Sequence, residues 1–403
     1  MPTLFTVCGG EGLVKSLTFG RQPLSTCFGK LPVSSFTLPV KELSLGFCRV
    51  CATIQLVDRF SLSMLQNKYP AGQFREPSAH LFAVVDKLVE LGAVRPDSSI
   101  LGLSYIDAAL LDLLAERGYG SSQIVDFAQM VQWQENFGLE TMQSVVSTPG
   151  FASQIGYMYG KFDFVCARFM LEHAESAYTF LLALVGLVRQ GGYLLVEVPD
   201  AGKMLAYGNH ALVWEDHFTY FSPFSLLRLI EAVGLLPVDF SSYSYPYENA
   251  IVAIVRVDDT KNPSQPIADP GEVESVSEVM KNFAEGFKTR KSRLREKLEQ
   301  RISAGEQLAL FGAGHHSAKY LNFYGFSDLV EYVIDDNPTK QALYMPGNNI
   351  VIKNSRFLIE SELTTCLSSL SPESEVKVRQ SIAPFFARGG HFIPIFEKER
   401  SPK

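Results

Sequence analysis

A chain of 403 residues is long enough for two or three domains with cores of their own, and 46% hydrophobic with 20% charged residues is the balance of an ordinary globular protein. A net charge of -7 argues against a general nucleic-acid binder, which needs a basic face to neutralise phosphates, but leaves room for a local site for one nucleotide diphosphate. No apolar run approaches the roughly 20 residues that span a bilayer. The N-terminus lacks a basic segment followed by a long apolar one, and six cysteines in a chain this size are no disulfide framework. The expectation is a cytoplasmic, reduced protein without a membrane or nucleic-acid partner, as a monomer or weak homo-oligomer.

Residues 1–60 carry Cys8, Cys27, Cys48 and Cys51. Cys48-Arg49-Val50-Cys51 is a CxxC knuckle, the spacing at which two thiolates share one zinc ion. Residues 61–97 place Leu62, Leu65, Leu81, Val84, Val85, Leu88 and Val89 at helical spacing. Next come an apolar run Ile100–Leu103, a helical stretch Ala108–Leu114 and a strand Ile124–Asp126. Residues 128–160, with Trp133, Phe137 and Met142, read as helix and loop.

Phe162–Cys166 is an apolar strand, Phe180–Val188 a helix, Arg189–Gly192 a turn and Tyr193–Val198 a second strand. That order is a parallel α/β unit, whose ligands bind outside the carboxyl ends of the strands, here Ala167-Arg168 and Pro199-Asp200. Ser225–Val233 is a helix stopped by Gly234, and Ile251–Val257 a final strand. Residues 258–275, rich in Pro, Asp and Ser, read as an exposed linker, and 276–303 as a charged amphipathic helix. A second α/β domain opens with strand Gln307–Phe311, the Gly312-Ala313-Gly314 turn and a helix from His315, where backbone N–H groups can meet a phosphate.

Leu171-Glu172-His173 and Gly191-Gly192-Tyr193-Leu194-Leu195-Val196-Glu197-Val198-Pro199 resemble the S-adenosylmethionine-dependent methyltransferases. Trp214-Glu215-Asp216-His217-Phe218-Thr219-Tyr220-Phe221 resembles the Tyr-x-Glu-His-x-x-Tyr-Phe segment of three-part C-methyltransferases acting on nucleotide-linked keto-deoxysugars. Asp335-Asp336-Asn337-Pro338-Thr339-Lys340-Gln341, Tyr344-Met345-Pro346-Gly347 and Arg388-Gly389-Gly390-His391 resemble the C-terminal domain of the same family. The resemblance implies an α/β protein: a small Cys-containing zinc-binding-like lobe (1–60), a class I methyltransferase-like Rossmann domain (61–257), the linker (258–275) and a Rossmann-like substrate domain (276–403). It implies a C-methyltransferase that moves a methyl group from S-adenosylmethionine to a carbon beside a sugar ketone.

Carried over residue by residue, the resemblance makes His217 the general base, with Asp216, Trp214 and Tyr69 around it. The cofactor falls to Gly102, Ser104, Asp107, Asp126 and Arg168. The nucleotide sugar falls to Phe74, Arg75, Ser78, Tyr220, Gly312, Gly314, His315, His316, Asp335, Asn337 and Lys340, with His80 in the same Tyr- and Ser-rich loop as Ser78. Zinc is the candidate metal, on Cys8, Cys48, Cys51 and a fourth ligand such as Cys27. Two places depart from the family pattern; the first bears on the metal, and the second keeps another class open. Phe5 stands where the first knuckle has a cysteine. The cofactor loop, an Ile-Gly-x-x-Asp-Gly type in the family, reads Leu103-Ser104-Tyr105-Ile106-Asp107-Ala108, where a Cβ crowds the approach of the cofactor. The alternative is a homologue that has lost methyl transfer and binds, scaffolds or runs a cofactor-independent reaction on a related sugar.

Overall fold

The computed structural model describes residues 7–10, 12–32, 39–65, 78–127, 138–258 and 265–396. Phe5, Tyr69, Phe74, Arg75, Trp133 and Phe137 lie outside them. The chain forms strands β1 (Leu13–Pro23), β2 (Val40–Cys48), β3 (Ile54–Leu56), β4 (Ser99–Gly102), β5 (Ser121–Ile124), β6 (Phe162–Arg168), β7 (Val188–Asp200), β8 (Thr219–Tyr220), β9 (Pro237–Tyr243), β10 (Asn249–Val257), β11 (Leu308–Phe311), β12 (Tyr332–Ile334), β13 (Val351–Lys353), β14 (Thr365–Ser368) and β15 (His391–Pro394). It packs as two compact units, one of residues 1–15, 45–202 and 216–277, the other of residues 16–44, 203–215 and 278–403. The Cys-bearing segment 1–60 therefore contributes residues to both. A sheet of order β1-β2-β3-β8 holds it, Ile54 pairing with Tyr220 and Gln55 with Thr219.

The first unit is built on a sheet of order β5-β4-β6-β7-β10-β9. β5, β4, β6 and β7 are parallel, and β10 and β9 close the far edge antiparallel. Side chains alternate along the strands, and both faces are apolar. Val165, Ala167, Leu194, Val196, Ile251 and Ala253 pack towards helices Phe151–Tyr159, Ala177–Leu187 and Pro223–Ala232. Phe164, Cys166, Leu195, Val252 and Ile254 pack towards helices His80–Glu90 and Ala108–Glu116. Burial on both faces is why these strands read as continuous apolar runs.

Four local expectations shift. Within 61–97 the described helices are Leu62–Leu65 and His80–Glu90, and the second stops before Gly92 at φ +63°, so 91–97 is turn and coil. The turn expected at Arg189–Gly192 belongs to β7, whose register against β6 shifts between Phe162 and Phe164. A Cβ on Gly192 would lie 2.7 Å from the Asp163 carbonyl, so the irregularity needs glycine there. The strand expected over Ile124–Asp126 is Ser121–Ile124, an exposed edge strand with no apolar pattern to mark it. The helix expected from 276 begins at Pro270, because Asp269 Oδ1 accepts from Glu272 N (3.1 Å) and Glu272 Oε2 accepts from Asp269 N (3.0 Å), a capping box.

The second unit carries a fully parallel sheet of order β13-β12-β11-β14-β15, the Rossmann-like half expected from the sequence. Helix His315–Tyr324 follows β11 and stops at Gly325, φ +67°. No helix among the described residues is long and apolar enough to cross a membrane.

Candidate active site

The carboxyl ends of β4, β6 and β7 bring the loop Ser104–Asp107 beside Arg168 and the strand residue Glu197. Ser104 caps a 3₁₀ turn Tyr105–Asp107, and Asp107 closes a capping box. Asp107 Oδ2 accepts from Leu103 N (2.9 Å) and Ser104 N (2.8 Å), and Oδ1 accepts from Arg168 N (3.0 Å). Arg168 Nη1 donates to Ile106 O (2.8 Å), and its Nε donates to Glu197 Oε2. Glu197 Oε1 lies 2.8 Å from His80 Nε2, and His80 Nδ1 meets the Tyr245 hydroxyl. Burial raises the Asp107 carboxyl to about 6, against the pull of the Ser104 N–H and the Arg168 charge. Burial also opposes the Glu197 charge, but Arg168 and His80 outweigh it and hold that carboxyl below its usual range.

Gly102, Ser104, Asp107 and Arg168 are thus buried and engaged with one another. A Cβ on Gly102 would lie 2.9 Å from both Asp107 Cβ and Leu111 Cδ1, so this glycine makes room for the chain's own carboxylate. Asp126 is different. It stands exposed two residues beyond β5 and lines a cleft of about 340 Å³, open space at its mouth included, with Leu101, Gln123, Val125, Ile155 and Tyr159. An acid at that strand end beside apolar walls suits a ribose and an adenine.

Further along the same strand ends, a 3₁₀ turn Leu171–His173 follows β6, and His217 precedes β8. The His173 and His217 rings meet edge to face at 4.7 Å, and His217 and Tyr220 are 6.2 Å apart. Asp216 Oδ2 is 4.0 Å from His173 Nδ1. Glu172 is buried beside them, and burial, reinforced by Glu248, Glu197 and Asp216, raises its carboxyl well above the usual range. An imidazole beside carboxyls is a side chain able to accept a proton from carbon. The acid–base reading from sequence centred on His217 and Asp216. Glu172 and His173 join them only in the fold, although the Leu-Glu-His tripeptide was the signal. His80, expected in a substrate loop with Ser78, is instead a buried partner of Glu197, while Ser78 is exposed ahead of the helix.

Cys8, Cys48 and Cys51 are buried with their sulfurs within 4.8 Å of one another, Cys8 and Cys48 at 3.6 Å. Val50 N and Cys51 N donate to Cys48 Sγ at 3.2 and 3.4 Å. Hydrogen bonds from Cys48 and Cys8 hold the Cys51 thiol well below its usual range. Sulfurs on a tetrahedral zinc at 2.3 Å sit about 3.8 Å apart, so the three fit a zinc ion. Cys27 lies in the second unit and is not part of this group.

In the second unit the Gly312–Gly314 turn is held by its own chain. Gly312 N donates to Ile334 O (2.7 Å), Ala313 N to Asp335 Oδ2 (2.7 Å), and Lys340 Nζ to Ala313 O (2.6 Å). Asp335 Oδ1 accepts from Asn337 N (2.8 Å), so Asp335, Asn337 and Lys340 shape the turn. Trp214 stacks on His315 (4.9 Å) and lies 5.2 Å from His316. Burial lowers His316 to about 4, with the charge of His315 adding to it.

Residues 80–239 match the family model of a methyltransferase domain, and residues 264–396 that of a C-methyltransferase C-terminal domain. The chain is 22% identical over 359 residues to the C-methyltransferase NovU of Streptomyces niveus, covering 86% of this chain and 84% of that protein. It is 31% identical over 118 residues to the ubiquinone biosynthesis O-methyltransferase of Aeromonas salmonicida, 27% of this chain and 48% of that one. Among solved structures, the 1,6-didemethyltoxoflavin-N1-methyltransferase of Burkholderia thailandensis is similar at 17% identity and a TM-score of 0.31, over 45% of this chain and 79% of that one. Through its methyltransferase domain and its C-terminal domain, the chain is similar to the C-methyltransferases.

Proposed function

We propose that the protein is a C-methyltransferase that forms an enolate beside the ketone of a nucleotide-linked deoxysugar, with His217 as the base. The observation that carries the reading is the buried His173–His217 pair with Glu172 and Asp216, inside the segment that matches the methyltransferase domain. The C–H bond beside the ketone breaks, its proton goes to the His217 imidazole, and its electron pair passes to the enolate oxygen. S-adenosylmethionine, when bound, supplies the electrophilic methyl group. Asp126 would hold its ribose in the cleft, and Leu101, Ile155 and Tyr159 its adenine. The nucleotide would meet the first turn of helix His315–Tyr324, where helical N–H groups lack intrahelical partners. Cys8, Cys48 and Cys51 would hold zinc as a structural ion.

Deuterium exchange tests this without knowledge of the methyl acceptor. Wild type should exchange the hydrogen beside the ketone of a keto-sugar nucleotide, and His217→Asn should exchange roughly a hundredfold more slowly. Equal rates would place the base elsewhere.

The buried loop favours a second reading, a homologue that has lost methyl transfer. Ser104, Asp107, Arg168 and Glu197 satisfy each other where a glycine loop would meet the methionyl part of the cofactor. Calorimetry separates the two. Saturable binding of S-adenosylmethionine supports the first, and nucleotide-sugar binding without it supports the second.

A further inference from the structure

Glu172, His173 and His217 each present a ligand atom, and these atoms lie within 4.8 Å of one another. All three residues are buried, at 1%, 4% and 8% exposure. Glu172 Oε2 has no hydrogen-bond partner among the described residues, an unfavourable state for a buried oxygen that something should relieve. The Asp216 carboxylate, 4.0 Å from His173 Nδ1, adds a second acid at the edge of the group. Donors around one ion at 2.0–2.2 Å stand about 3–3.5 Å apart, so small side-chain rotations close this triangle onto a cation.

We infer that Glu172, His173 and His217 form a binding site for a divalent first-row transition ion. Two imidazoles and a carboxylate suit zinc, cobalt, nickel or ferrous iron; magnesium and calcium prefer all-oxygen shells, and cuprous ion prefers sulfur. The site is distinct from the cysteine cluster, which offers sulfur alone. An ion here takes the imidazole lone pair that proton abstraction needs, so the loaded protein is inhibited. Binding stands on the geometry by itself. The inhibition rests on His217 being the base.

The test is a cobalt titration of the full chain after chelator treatment. Cobalt on the cysteines brings sulfur-to-metal charge transfer in the near ultraviolet. The inference expects a second equivalent with visible ligand-field bands and no added charge transfer. Glu172→Gln and His173→Asn should each weaken that second equivalent roughly a hundredfold or more, beyond the 10–100-fold of an outer-shell loss, and leave the charge-transfer signal intact. Cobalt that appears only with charge transfer, or titrations of both variants that superimpose on wild type, would overturn the site. In the exchange assay, zinc should stop deuterium uptake by wild type, and chelator should restore it. If the second equivalent binds while exchange continues, the inhibition is overturned and the base assignment with it, but the metal site stands.

Discussion

His210 should make the second unit lose stability in weak acid. Its ring is fully buried at 0% exposure, with Nε2 2.9 Å from the Phe283 carbonyl and Nδ1 3.2 Å from the Tyr324 hydroxyl. The ring lies against Phe283 at 4.1 Å. A neutral imidazole satisfies both partners, donating to the carbonyl and accepting from the hydroxyl. Burial pushes its pKa from 6.5 down to about 4, the Arg290 charge adds to the shift, and the bond to Phe283 opposes it. The folded value is depressed, so the unfolded chain binds more protons between pH 6.5 and 4, and stability rises with pH across that window. The contribution is fully present above pH 6.5 and lost as pH falls towards 4. A shift of about 2.5 units at 1.36 kcal/mol each corresponds to about 3 kcal/mol. Urea unfolding of Trp133→Phe protein, with Trp214 of the second unit as the fluorophore, should be run at pH 7.5 and 4.5 with and without His210→Phe. The phenylalanine variant is weaker at both pH values, since it loses both hydrogen bonds of the ring. The His210 protein should nonetheless lose about 2–3 kcal/mol more on acidification. Equal losses, within roughly 0.5 kcal/mol, would show that His210 is not the linked group.

Glu197→Gln should lower stability by about 3–5 kcal/mol, because it leaves the buried Arg168 charge without its counter-ion; a melting temperature close to wild type would contradict the pairing. Gly312→Ala should destabilise the second unit by about 1–3 kcal/mol, read from urea midpoints, because φ is +97° and the new Cβ would lie 2.5 Å from Ser369 Oγ. Gly314→Ala, at φ -129° with nothing within 4 Å of its Cβ, should change stability by roughly 0.5 kcal/mol or less, and equal effects at the two positions would refute the strain argument.

The apolar runs that became β6, β7 and β10 were legible in the sequence, as were the helices at Ala177–Leu187 and Pro223–Ala232 and the glycine turn before His315. Burial on both faces writes itself into local composition, and a cap or a left-handed glycine needs only its own neighbours. β5 escaped because an exposed edge strand carries no apolar pattern. The bulge at Gly191-Gly192 read as a turn because what forbids a side chain there is the Asp163 carbonyl on another strand. The site shows the same divide. His217 and Asp216 stood out by their motif, but the buried contacts around the strand ends did not. His80 reaches Glu197 across 117 residues, and Arg168 reaches it across 29. Glu172 and His173 come to His217 from the end of a different strand. Such pairings are chosen by strand order and register, which bring distant carboxyl ends together, and no local spacing records them.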